Sequence, residues 1–126
     1  MNAIQQAHRA YTAGHSPLRT SRSTEYDAFG DIVRRLDRAA RNVGADFAAL
    51  AAAIHDNRAL WTVLAADVAD ADNALPAQLR AQIFYLAEFT DAHSRKVLRG
   101  EADVFALIDV NTAVMRGLGS TGGAAA

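Results

Sequence analysis

Cysteine is missing altogether, so a disulfide scaffold, thiol chemistry and Cys-ligated zinc are all excluded. Proline occurs twice in 126 residues, too rarely to punctuate a sheet-rich fold with many turns. No excess of either charge exists: the formal net charge is −1 and the isoelectric point about 6.4. A general electrostatic pull toward nucleic acid or a membrane surface is therefore absent. The longest unbroken apolar run, Phe47–Ile54, falls far short of the roughly 18 residues a membrane-spanning helix requires. Large apolar side chains are also scarce, because 29 of the residues are alanine. A core built this way is thin and suits helices that approach closely across small residues.

What remains favours an all-α chain, rich in Ala, Leu and Arg and of a length for one domain. Ile4, Ala7 and Tyr11 predict a short helix over residues 2–13, broken by Gly14-His15-Ser16-Pro17. Residues 18–22 then read as an extended basic linker, and the first 22 residues carry +3. A second helix is expected from Ser23 or Thr24 to Gly44, with Glu25 and Asp27 in its first turn and Tyr26, Phe29, Val33 and Leu36 on one face. Asp46 can cap a third helix running to about Ala69, whose stripe is Phe47, Leu50, Ile54, Asn57, Trp61, Leu64 and Val68. Pro76 fits the first turn of a fourth helix, which Gly100 ends after Leu98. A fifth is expected over about Asp103–Leu118, with Val104, Leu107, Ile108, Asn111 and Met115 on one face. The expected architecture is a small bundle of about five helices: one domain over residues 1–118, residues 1–22 forming its arm, and a disordered Gly/Ala tail at 119–126.

Chemistry that needs clustered side chains finds no template. No His-x-x-x-His or Glu-x-x-His pair places two of the four histidines on one helix face, so no metal is expected. Asp70-x-Asp72 resembles the start of a calcium loop, but the required glycine would be Leu75 and the closing glutamate Ala81. These aspartates read instead as closing a helical hairpin, and the Asp67/Asp70 pair reads as solvated. No serine sits in a Gly-x-Ser-x-Gly elbow. The expectation is a non-enzymatic protein without cofactor, and Met1–Gln6, lacking a basic-then-apolar pattern, adds a cytoplasmic location. Arg9, Arg19 and Arg22, and again Arg95, Lys96 and Arg99, form basic clusters. Aromatic rings for base stacking are not interleaved with them, which makes solvated faces the better reading and nucleic-acid binding the poorer one.

The informative polar residues are Asn57 and Asn111, each in the middle of an apolar stripe. An amide there costs about 1–3 kcal/mol unless its hydrogen bonds are satisfied. Either the two are buried and fix helix register, or they face a groove and bond an incoming segment. Trp61 carries the same alternative, core filling or partner contact. In the fourth helix Tyr85 projects roughly 160° from Ile83, with Phe84 and Phe89 on the flanks, so apolar surface nearly encircles its first half. That helix is central in the bundle, or part of it awaits a partner.

Taken together, Pro17-Leu18-Arg19-Thr20, Glu25-Tyr26-Asp27-Ala28-Phe29, Asp56-Asn57-Arg58-Ala59-Leu60-Trp61, Arg80 through Thr90, and Ile108 through Leu118 resemble the FlaF family, flagellar biosynthesis regulators of alphaproteobacteria. The resemblance covers residues 1 to about 118, and the N-x-x-L-W and N-x-x-x-M-R-G-L pieces make it specific. It implies a protein that promotes flagellin synthesis and export and binds flagellin as a secretion chaperone or coupling factor. The alternative it leaves open is a post-transcriptional regulator that binds the flagellin messenger or serves as an adaptor to the FlbT regulator. On the chaperone reading, the residues expected to meet flagellin are Phe84, Tyr85 and Phe89, with Trp61, Asn57 and Asn111 nearby, and Tyr11, Arg19 and Arg22 from the arm.

Overall fold

The computed structural model describes residues 21–124 apart from 43 and 45. They form four helices: α1 (Ser21–Arg41), α2 (Phe47–Ala69), α3 (Ala77–Leu98) and α4 (Phe105–Ala124). The class is all-α, as expected. The helix expected over residues 2–13 lies outside the described residues, and so does the linker expected over 18–22 as far as residue 20; its last two residues, 21 and 22, are helical instead. Two boundaries differ from expectation. α1 is already helical at Ser21, which moves Glu25 and Asp27 out of its first turn. α4 continues through Gly117 and Gly119 to Ala124, where a disordered tail was expected. Glycine costs only about 1 kcal/mol in a helix interior, which does not compel a stop.

The other ends follow local chemistry. Asp46 Oδ1 accepts the Ala49 N–H at 3.0 Å and caps α2. Pro76 stands before α3, its carbonyl accepting the Arg80 N–H at 3.0 Å. α3 ends in a Schellman motif: Gly100 has φ +74°, its N–H donates to Val97 O, and the Glu101 N–H reaches back to Lys96 O. The α2–α3 turn is held by side chains. Asp70 Oδ1 accepts the Asp72 N–H, and Asn73 Nδ2 donates to both the carbonyl and the carboxylate of Asp67. Asp67 is therefore buried and hydrogen-bonded, not solvated as the sequence suggested.

The helices run alternately up and down, α1 against α2 and α4, α2 against α3, and α3 against α4. The α1–α4 seam is close: a Cβ added to Gly30 would lie 3.4 Å from Met115 Cε. Phe29 and Trp61 meet edge to face at 5.7 Å, surrounded by Ile32, Leu36, Ile54 and Leu107, all fully buried. Each of these large side chains stabilises the fold by about 1.5–3 kcal/mol. α3 contributes differently. Its buried residues are Ala87, Thr90, Ser94 and Val97, while Ile83, Leu86 and Leu98 pack half-buried at the edge. Among the described residues no helix is long and apolar enough to cross a membrane.

Candidate functional site

The two amides on apolar stripes meet each other. Asn57 comes from α2 and Asn111 from α4, and both are fully buried. The Trp61 indole Nε1–H, which can only donate, donates to Asn111 Oδ1 at 2.8 Å. This directs Asn111 Nδ2 to Asn57 Oδ1 at 2.7 Å. Three side chains from two helices thus form one buried chain of hydrogen bonds. Its last donor, Asn57 Nδ2, meets no acceptor. The arrangement sets the register of α4 against α2, because a slip of one residue would leave every member unpaired in an apolar core. In the closed domain Asn57, Trp61 and Asn111 therefore serve the core and are not surface groups, which corrects their placement beside a partner. The core alternative for them is the one observed.

The aromatic residues of α3 are placed otherwise. Phe84 is 42% exposed and Tyr85 66%, side by side in the helix's first half. Phe89 is half-buried and stacks on His93, with ring centroids 5.3 Å apart. His93 Nε2 lies 2.9 Å from the Asp103 carbonyl oxygen and so ties α3 to the segment before α4. Phe84 also lines a cleft of about 340 Å³ between α2 and α3, with Trp61, Ala65 and Ala87 among its apolar walls. One end of this cleft is closed by charge. Arg58 donates to Asp91 Oδ1 through Nε at 3.1 Å and Nη2 at 2.7 Å, and Arg95 pairs with Asp91 Oδ2 at 3.1 Å. Glu88 lines the same cleft, so its two arginines are matched by two carboxylates and it carries no net charge.

Tyr11 and Arg19 lie outside the described residues, and so does the side chain of Arg22. A feature that was not foreseen lies at the opposite end of the bundle. Phe47 and Phe105, 56% and 53% exposed, line an apolar cleft of about 750 Å³ with Leu50, Val97, Leu98 and Val104. Phe47 and Phe105 are the first residues of α2 and α4. Helical periodicity places Phe47 on the core stripe, whereas it stands exposed where α2 begins. Among the described residues no group of three or more His, Asp or Glu side chains converges to hold a metal ion.

Such a molecule is a small helical bundle with a polar-pinned core and an aromatic outer face. The family model described as flagellar protein FlaF matches residues 7–118, and the chain belongs to that family. It is thus a flagellar protein. No curated protein and no solved structure matches the chain.

Proposed function

We propose that this protein binds flagellin in the cytoplasm as a secretion chaperone or coupling factor, without catalysing a reaction. The observation that carries the reading is the exposure of two rings on α3, Phe84 and Tyr85, the first of which also lines the cleft between α2 and α3. A helical bundle with such a face takes an amphipathic partner helix by its apolar side. Unassembled flagellin offers helices of that kind at its ends. The neutral balance of the cleft favours apolar contact over charge pairing as the source of affinity. It also counts against messenger RNA as the ligand, since phosphate binding draws on unmatched cations.

The test is co-elution of the purified chain with flagellin, for the native sequence and for Phe84→Ser combined with Tyr85→Ser. Two exposed aromatic contacts together are worth about 10²-fold in affinity or more. The double variant is expected to lose the complex while keeping its far-ultraviolet circular dichroism. Affinity that is nearly constant between low and high salt supports apolar docking, whereas a steep fall with salt would point to RNA. Binding that survives the double substitution removes this face from the interaction.

A further inference from the structure

The core of this bundle is unevenly filled from end to end. The helices alternate in direction, so α1 and α3 begin at the end where α2 and α4 finish. Near that end α1 and α2 still bury Ala28, Phe29, Leu64 and Val68. α3, however, buries nothing before Ala87, and α4 buries no described side chain beyond Asn111. The seam between α3 and α4 is therefore closed only over its other half.

His93 reaches the Asp103 carbonyl just before α4, which marks the side of α3 that meets α4. Leu86 and Leu79 precede His93 by seven and fourteen residues and share that side to within about 40°. On α4, Met115 faces Gly30 of α1. Val110, Val114 and Gly117 keep an i, i+4, i+7 spacing about 100–160° round the helix from Met115, on the flank toward α3. Leu79, Leu86, Val110 and Val114 are all half-buried, and a Cβ built on Gly117 would meet nothing within 4 Å among the described residues. Two helices thus hold an apolar groove open where the rest of the bundle is closed.

Ser21 stands at this same end, so residues 1–20 enter the bundle beside the groove. α1 and α4 are packed neighbours, with axes about 8–10 Å apart. The seven residues 14–20 extend over at most about 25 Å, enough to pass the end of α4 and bring residues 2–13 onto the groove. The cleft of Phe47 and Phe105 is beyond that linker, since it lies one length of α1, about 31 Å, along the bundle. The stripe Ile4, Ala7 and Tyr11 fits the nearer groove in length: Ile4 and Tyr11 are seven residues apart, as are Leu79 and Leu86. The family match begins at residue 7, so most of the segment belongs to the unit the family shares.

We propose that residues 1–20 of this chain close the groove between the first half of α3 and the second half of α4, with Ile4 and Tyr11 set against Leu79, Leu86, Val110 and Val114. Phe84 and Tyr85 lie about 100° or more away round α3 from Leu79 and Leu86, so the inference stands whether or not flagellin binds there.

The chain has no cysteine, so one introduced as Thr12→Cys, flanking the stripe, accepts a nitroxide at a single place. In the full chain the NMR signals of Leu79, Leu86, Val110 and Val114 are expected to be lost to paramagnetic broadening, while those of Phe47 and Phe105 survive. Adding Ile4→Ser and Tyr11→Ser is expected to restore the lost signals, with Phe29 and Trp61 keeping their native shifts as proof that the core is intact. Broadening centred on Phe84 and Tyr85, on the cleft of Phe47 and Phe105, or nowhere overturns the proposal, and so does broadening that survives the two serines. A mixture of isotope-labelled chains lacking the nitroxide with unlabelled chains carrying it identifies the donor. Signals lost in that mixture overturn the proposal in favour of a second copy as the occupant.

Discussion

Replacing Asn111 by leucine probes the buried chain of amides, because the number of unpaired polar groups changes in a way that additivity does not predict. The native network leaves one group unpaired, Asn57 Nδ2. Asn111→Leu strands two more, the Trp61 indole N–H and Asn57 Oδ1, since both bond to Asn111 alone. At about 1–3 kcal/mol per buried unpaired group the variant loses about 2–6 kcal/mol. That is a large share of the about 5–15 kcal/mol that a domain this size possesses. Asn57→Leu strands only Asn111 Nδ2 and removes the group already unpaired, so the polar terms nearly cancel. The double variant leaves the Trp61 N–H as the one unpaired group and should return close to native stability. The extra methyl volume acts in the opposite sense, because the double variant carries more of it, so a rescue can only come from the polar groups. Urea unfolding followed by the fluorescence of Trp61, the chain's one tryptophan, and by circular dichroism gives the four free energies of the cycle. A double variant as unstable as Asn111→Leu, or less stable, would refute the network as the source of the energy.

Two backbone predictions concern glycines in opposite situations. Gly100→Ala is expected to cost about 1 kcal/mol in urea unfolding, because φ +74° is unfavourable for a side chain even though open space surrounds the position. Gly30→Ala is expected to stabilise α1 by about 0.5–1 kcal/mol, since the added Cβ meets only the ends of two flexible side chains, Met115 Cε at 3.4 Å and Arg34 Nη1 at 3.5 Å; a lowered urea midpoint would show that the α1–α4 seam cannot yield.

Periodicity made most of the helices legible. Phe47–Ala69 and the end of α3 at Leu98 with Gly100 follow directly from caps, stripes and glycine placement, and so does the Asp46 cap. The start of α1 and the length of α4 were misplaced, because Ser21 and the glycines after Met115 have weak local preferences that do not fix a helix boundary. Phe84 and Tyr85 could be read as surplus apolar surface, since their angle around the helix exceeds any single stripe. The Asn57–Asn111–Trp61 chain could be read only as alternatives. Sequence shows each amide on its own helix, and nothing local reveals that residues 50 and 54 positions apart meet. The same blindness hides Arg58 reaching Asp91 from 33 positions away, because single-segment patterns carry no information about partners on another helix. Arg95 and Asp91 differ: their i,i+4 spacing on one helix was legible.

The seam at Gly30 and Met115 joins the first described helix to the last, so the contacts that close the bundle are also those farthest apart along the chain. The α2–α3 hairpin can form early from neighbours in sequence, whereas closure must wait for a long loop to be drawn in. A circular permutant joining residue 124 to residue 21, with new termini in the exposed turn near Asp72, would turn that distant closure into a local one while leaving every helix intact. The order of assembly is therefore expected to follow the wiring of the chain, and a permutant that folds no faster than the native chain would refute that expectation.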